Sequence, residues 1–241
     1  MPNTLITASH PAARRFYTVV AWVLVLIVFA GFAQTYYLKG IYGTPPLPLL
    51  VHIHGVVMTL WYALFVIQVG LVASRRIALH RTLGFAGVGL SILVIILGTL
   101  VSLGLARQRL LVRPDSTGAA FLLGLQLFSV LLVFGIFVSL GVFFRRRTDI
   151  HKRLMTLAML SVLGPAITRL PLSFVQNHDV SMAIALSIGF VVLCILGDTI
   201  LHRRLHPAFA WGGALIVGSM VVVAQFAQSQ TWIRATRWLV L

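Results

Sequence analysis

The sequence predicts an all-α membrane protein, a polytopic bundle of about seven transmembrane helices with a cytoplasmic N-terminus and the C-terminus outside. Three observations lead there. Of the 241 residues 59% are hydrophobic and only 10% are charged, whereas soluble domains stay near half apolar and about a quarter charged. Seven apolar stretches approach the roughly 20 residues a helix needs to cross a bilayer. The basic residues, finally, are divided unevenly between alternate loops.

The seven stretches are 16–38, 47–73, 83–106, 119–144, 154–175, 181–201 and 208–228. Each reads as a helix, because an open strand leaves its backbone polar groups unsatisfied in lipid. The first begins behind Arg14 and Arg15, as a signal peptide does. It is longer than a signal's apolar core, so an uncleaved anchor is expected. The fifth carries Arg169, and its Gly164-Pro165 pair predicts a bend. Short loops leave no soluble domain, so residues 1–241 read as one transmembrane domain.

With the N-terminus inside, the inner segments hold twelve basic residues: Arg14, Arg15, Arg75, Arg76, Arg81, Arg145, Arg146, Arg147, Lys152, Arg153, Arg203 and Arg204. The outer segments hold six: Lys39, Arg107, Arg109, Arg113, Arg234 and Arg237. The positive-inside rule selects this orientation, and the cytoplasmic membrane of a bacterium is the expected location. The formal charge of +15 then reflects phospholipid, in particular anionic lipid at the cytoplasmic face. No motif for nucleic acid accompanies it. The tail 231–241 interleaves Trp232 and Trp238 with Arg234 and Arg237, a pattern for the outer interface.

Two inner loops match at an offset of 71 residues: the segment from Arg75 to Leu83 (RRIALHRTL) and the segment from Arg146 to Leu154 (RRTDIHKRL). Each joins an even helix to an odd one, so 47–106 and 119–175 read as repeated hairpins. Arginines collect in any inner loop, but a histidine at the same place in both needs another reason.

Chemistry has few residues to use. The four acidic residues are Asp115, Asp149, Asp179 and Asp198, and glutamate is absent. That leaves little for paired-carboxylate catalysis or calcium and two-metal sites. Cys194 is the single cysteine, which excludes an internal disulfide. No P-loop, G-x-S-x-G or H-E-x-x-H occurs. Histidine remains. His80 and His151 open the third and fifth helices at equal depth, and two such imidazoles suit the axial positions of a haem b. Arg81, Lys152 and Arg153 nearby would suit its propionates. Interfacial histidines also serve lipid phosphates, which is the competing expectation. Asp198, near the inner end of the sixth helix, is expected to pair with His202, Arg203 or Arg204.

His54-Gly55-Val56-Val57-Met58 at the second helix and Leu79-His80-Arg81-Thr82-Leu83-Gly84 at the third resemble the transmembrane ascorbate-dependent b-type cytochromes. The resemblance implies a four-helix core over about 47–175 with two haems, each held by histidines of alternate core helices. His80 and His151 match one pair and His54 matches half of the other. The fourth helix has no histidine for His54, and Gln126 is its nearest polar residue. H-x-H-G, L-H-R-x-L-G and H-K-R-L-M are also shared with bacterial multispanning proteins, a likeness that implies no activity.

Three functions follow as expectations. The first is a b-haem electron-transfer protein working between a quinol or cytoplasmic donor and an outer acceptor, with His80, His151 and His54 as cofactor residues. The second is a non-catalytic accessory or scaffold subunit of a larger membrane complex, holding lipid or partner helices. The third is a zinc-dependent hydrolase using His202, His206 and Asp198 or His80 as ligands. Topology is testable at once: reporter fusions within 75–81 and 145–153, which carry eight of the twelve inner charges, should read as cytoplasmic. An active periplasmic reporter in either loop overturns the orientation.

Overall fold

The computed structural model describes residues 11–113, 117–177 and 180–241, and among these every regular element is helical. α1 (Pro11–Phe32) runs into a π-helical turn, Ala33–Tyr37, and a short α2 (Lys39–Tyr42). α3 (Leu49–Ala73) and α4 (Ile77–Val112) form a hairpin. The next span is α5 (Thr117–Gly124), a π-helical segment Leu125–Leu132 and α6 (Val133–Phe143). There follow α7 (Thr148–Ser161), α8 (Gly164–Ile167), α9 (Ser173–Gln176), α10 (Val180–His202), α11 (Pro207–Phe226) and α12 (Gln230–Val240).

Six helices are long and apolar enough to cross a membrane: Pro11–Tyr37, Leu49–Ala73, Ile77–Val112, Thr117–Phe143, Val180–His202 and Pro207–Phe226. Large apolar side chains such as Phe85 (79% exposed) and Ile200 (76% exposed) face outward from them. Water would penalise that surface heavily, and hydrocarbon would not. This is a multi-pass membrane protein.

The remaining apolar stretch, expected at 154–175, is not one continuous helix. α7 ends at Ser161 and α8 restarts at Gly164. Pro165 is the reason: it lacks the N–H that would bond the carbonyl of Ser161. The broken segment lies at the centre of the bundle, where Leu157, Ala158, Met159, Leu163 and Ile167 are all fully buried. Its path can be read from its neighbours. At its start Arg153 pairs with Asp198 of α10, which also accepts from Tyr17 of α1, and Lys152 lies over the Tyr17 ring. Ala166 at its end packs on Gly31 of α1. The two ends of this broken segment thus lie near Tyr17 and Gly31 of α1, positions 14 residues or about 21 Å of helix apart, while α7 itself packs mainly on α6 and α11.

α4 has 36 residues, about 54 Å of helix, and so is longer than the hydrocarbon core is thick. α12 packs against α4 and against α5. The Trp232 indole donates to the carbonyl of Ala120 at 2.8 Å, and its ring meets Phe128 and Phe226 edge-on. Trp238 remains exposed.

Gly31 sets the spacing of α1 and the break. A Cβ there would overlap the backbone carbonyl of Ala166, which has no rotamer by which to yield. Gly31→Ala should therefore lower stability by about 1–3 kcal/mol, seen as a fall in Tm in detergent. Gly218→Ala, with open space around the new methyl, should leave Tm unchanged or raise it.

Candidate functional site

The turns that lead into α4 and α7 place their histidines identically. Arg76 precedes α4 with φ −84° and ψ 60°, and Arg147 precedes α7 with φ −99° and ψ 86°. His80 and His151 are each the fourth residue of their helices. Each donates its backbone N–H to that preceding arginine, at 3.1 and 2.9 Å. Folding brings the two rings together, with centroids 6.2 Å apart and planes at 85°.

The His151 ring has a defined role for one nitrogen. Its Nδ1 lies 2.7 Å from the carbonyl of Gly141, and a carbonyl can only accept, so Nδ1 carries a proton and the neutral tautomer of this ring has its lone pair on Nε2. This is how ligating histidines are oriented by a second hydrogen bond. On His80, Nδ1 is buried and has no hydrogen-bond partner. Neither does the side-chain oxygen of Gln68, also buried. The Gln68 amide nitrogen lies 3.9 Å from the Cβ position of Gly84, one turn above His80.

Two metal–nitrogen bonds of about 2 Å, with the reach from each ring's centre to its nitrogen, span roughly 6 Å. The 6.2 Å separation matches an axial pair, and the unpartnered His80 nitrogen marks a place where a ligand would matter. The residues fit axial ligation of a haem b. The expected propionate contact fails in one part: Arg153 is fully committed elsewhere, whereas Arg81 is exposed.

Arg153 belongs to a second cluster. Its Nε and Nη2 both reach Asp198 Oδ2 at 2.7 Å, and Nη1 donates to the carbonyl of Asp149 at 2.8 Å. Asp198 Oδ1 accepts from the Tyr17 hydroxyl at 2.7 Å and lies 3.1 Å from His202 Nδ1, which hydrogen-bonds the Asp198 backbone carbonyl at 2.8 Å. The carboxylate is fully buried and fully paired. Of its three expected partners only His202 makes contact in the described residues, and the main partner lies 45 positions away. Lys152 Nζ sits 3.5 Å from the other nitrogen of His202 and 5.0 Å over the Tyr17 ring. α1, α7 and α10 are joined here.

His206 joins Asp149 and not Asp198. Its Nδ1 accepts from the backbone N–H of Ala208 at 3.1 Å, capping α11, so Nε2 bears the proton that faces Asp149 Oδ2 at 3.3 Å. Burial, helped by the charge of Arg153, holds His206 below its ordinary imidazole range. The zinc expectation needs His202, His206 and Asp198 together. Among the described residues no three His, Cys, Asp or Glu side chains gather as a metal site.

At the N-terminal end of α3, His52 packs against Tyr36; His178 lies outside the described residues. His54 turns inward, its ring edge 3.7 Å from the Cβ position of Gly98 on α4, with Nδ1 buried and unpartnered. Gln126 falls in the π-helical segment. His54, Trp61 and Gln68 repeat every seven residues on one face of α3, and each has a buried polar atom without a partner. That stripe is a feature the reading of motifs missed, although its spacing is visible in the sequence.

No known protein family, curated protein or solved structure matches the chain.

Removing one partner of a buried ion pair leaves an uncompensated charge, which costs about 3–5 kcal/mol. Asp198→Asn should therefore destabilise the protein strongly in a denaturation assay. The double variant Arg153→Met with Asp198→Leu should cost less than either single change. A double variant as costly as the two single changes added together would show that the pair is not the unit of stability.

Proposed function

We propose that the chain is a b-haem electron-transfer protein of a bacterial cytoplasmic membrane, with His80 and His151 as the axial ligands at its inner side. The observation that carries this is the 6.2 Å separation of two rings contributed by separate hairpins with matching loops. Edge-to-face packing of two imidazoles also reaches that separation. It does not account for the His151 proton being fixed on Nδ1 or for the unpartnered nitrogen of His80.

In this reading the chain crosses seven times, from a cytoplasmic N-terminus to an outer C-terminus. The fifth crossing is α7 with α8, and the nearness of its two ends to Tyr17 and Gly31, at the two ends of α1, supports it. A haem held by His80 and His151 would supply one-electron exchange. The protein's own residues do the rest. Gly141 holds the His151 ring in the ligating tautomer, and the first turns of α4 and α7 fix both rings at one depth. Arg76, Arg81 and Arg147 bring positive charge to the same edge, for propionates or anionic lipid. Electrons enter from a quinol or a cytoplasmic donor and leave toward an outer acceptor.

The test is spectroscopic. Protein expressed with haem supplied should show the low-spin bands of a bis-imidazole haem. His80→Ala and His151→Ala should each abolish them, since both rings are needed. His52→Ala, at the outer end against Tyr36, should leave the spectrum unchanged. Colourless wild-type protein would end the redox proposal and favour an accessory subunit held by its basic loops.

A further inference from the structure

A cavity of about 590 Å³ opens sideways between α4 and the span formed by the π-helical segment and α6. Its walls are apolar, built mainly by Ile95, Leu127, Leu131 and Leu140, with Thr99 and Ser139 the polar residues among them. Gly135 sets its depth on one side: a Cβ there would stand 3.3 Å from Ile95 Cδ1. From Leu127 to Leu140 the groove follows about 20 Å of helix. Its mouth faces the surface that lipid covers.

The groove is not closed at its back. Leu131 forms part of the wall, and its tip reaches the notch at Gly98, 2.8 Å from where a Cβ would stand. The His54 ring edge arrives at the same notch, 3.7 Å from that point. One leucine side chain therefore separates the groove from an imidazole whose Nδ1 is buried and unpartnered. Leu131 lies in the eight-residue π-helical segment Leu125–Leu132, and such widened turns occur often at functional sites.

These features specify an occupant. It must enter from the bilayer, carry a long apolar body and offer one neutral hydrogen-bonding oxygen to an imidazole. A phospholipid does not meet this, because no cation lines the groove for its headgroup and the groove lies in the middle of the spans. A quinone with an isoprenoid tail does. We propose that the groove is a membrane-quinone site, the tail lying along Leu127 to Leu140 and a ring carbonyl accepting from His54 past a displaced Leu131. The quinone's role as electron donor rests on the redox reading above; its binding does not.

Direct binding of a decyl-tailed benzoquinone to the full-length protein in nanodiscs tests this, with decylcyclohexane as the competitor that lacks carbonyls. Wild-type protein should bind one quinone saturably. His54→Leu and Gly135→Leu should each weaken binding at least tenfold, and decylcyclohexane should compete poorly. If Gly135→Leu does not fold, His54→Leu and the competitor decide alone. Equal binding by the His54 variant, or equal competition by decylcyclohexane, would make the groove a site for any apolar chain and overturn the proposal. His80→Ala protein should retain quinone binding while losing haem bands, so a failure of the haem reading and a failure of this one are seen separately.

Discussion

A carboxylate buried among membrane helices must be neutralised, and the architecture is organised around how Asp198 meets that demand. Arg153 and Tyr17 each bond one of its two oxygens, with His202 beside Oδ1, and these groups come from α1, α7 and α10. Desolvating such a pair is expensive, and the geometry has to be good for the attraction to offset it. Here both guanidinium contacts are 2.7 Å and the remaining arginine nitrogen is satisfied by the Asp149 carbonyl. The consequence is positional. The start of the broken central segment is held between α1 and α10, and His151, two residues before Arg153, is thereby placed within reach of His80.

Much of this architecture was legible because a bilayer makes simple demands. Apolar length located α3, α10 and α11 to within about two residues at each end. α4 was read too short, as 83–106 against Ile77–Val112, because hydropathy falls at Arg81 and Arg107 while the helical backbone continues past the membrane. Gly164-Pro165 marked the break in the fifth stretch. How completely the helix stops there depends on tertiary packing against Gly31, which no local pattern encodes. The π-helical segment Leu125–Leu132 left no readable sign at all.

The candidate site was legible unevenly, and for the same reason. The repeated loop identified His80 and His151, and a matched position in two helices translates directly into matched depth. Arg153 was misassigned because proximity in sequence was the only guide to its partner. Its neighbour His151 drew it toward a cofactor role, whereas folding gave it to Asp198 across 45 positions. Tyr17 carried no signal, since an aromatic residue near the inner end of a span is ordinary. The spacing of His54, Trp61 and Gln68 was present in the sequence. It becomes meaningful only once α3 is seen to turn that face inward.

The polar groups inside the bundle are satisfied unevenly. Those around Asp198 form a closed set, in which Arg153, Tyr17 and His202 each end on a partner. Elsewhere Ser129, Thr199 and Thr236 each bury an oxygen without a partner among the described residues, and His54, Trp61, Tyr62, Gln68 and His80 gather more such atoms on α3 and the start of α4. In a medium without water, an unmet hydrogen bond costs more than at a surface. A chain selected only for stability would have filled that stripe with leucine, as it did elsewhere on α3. The stripe of His54, Trp61 and Gln68 runs from the notch beside the lateral groove toward the His80–His151 pair, spanning about 21 Å of helix between His54 and Gln68. The ionic cluster meets its own hydrogen-bonding demand, whereas this face of α3 leaves its demand unmet among the described residues.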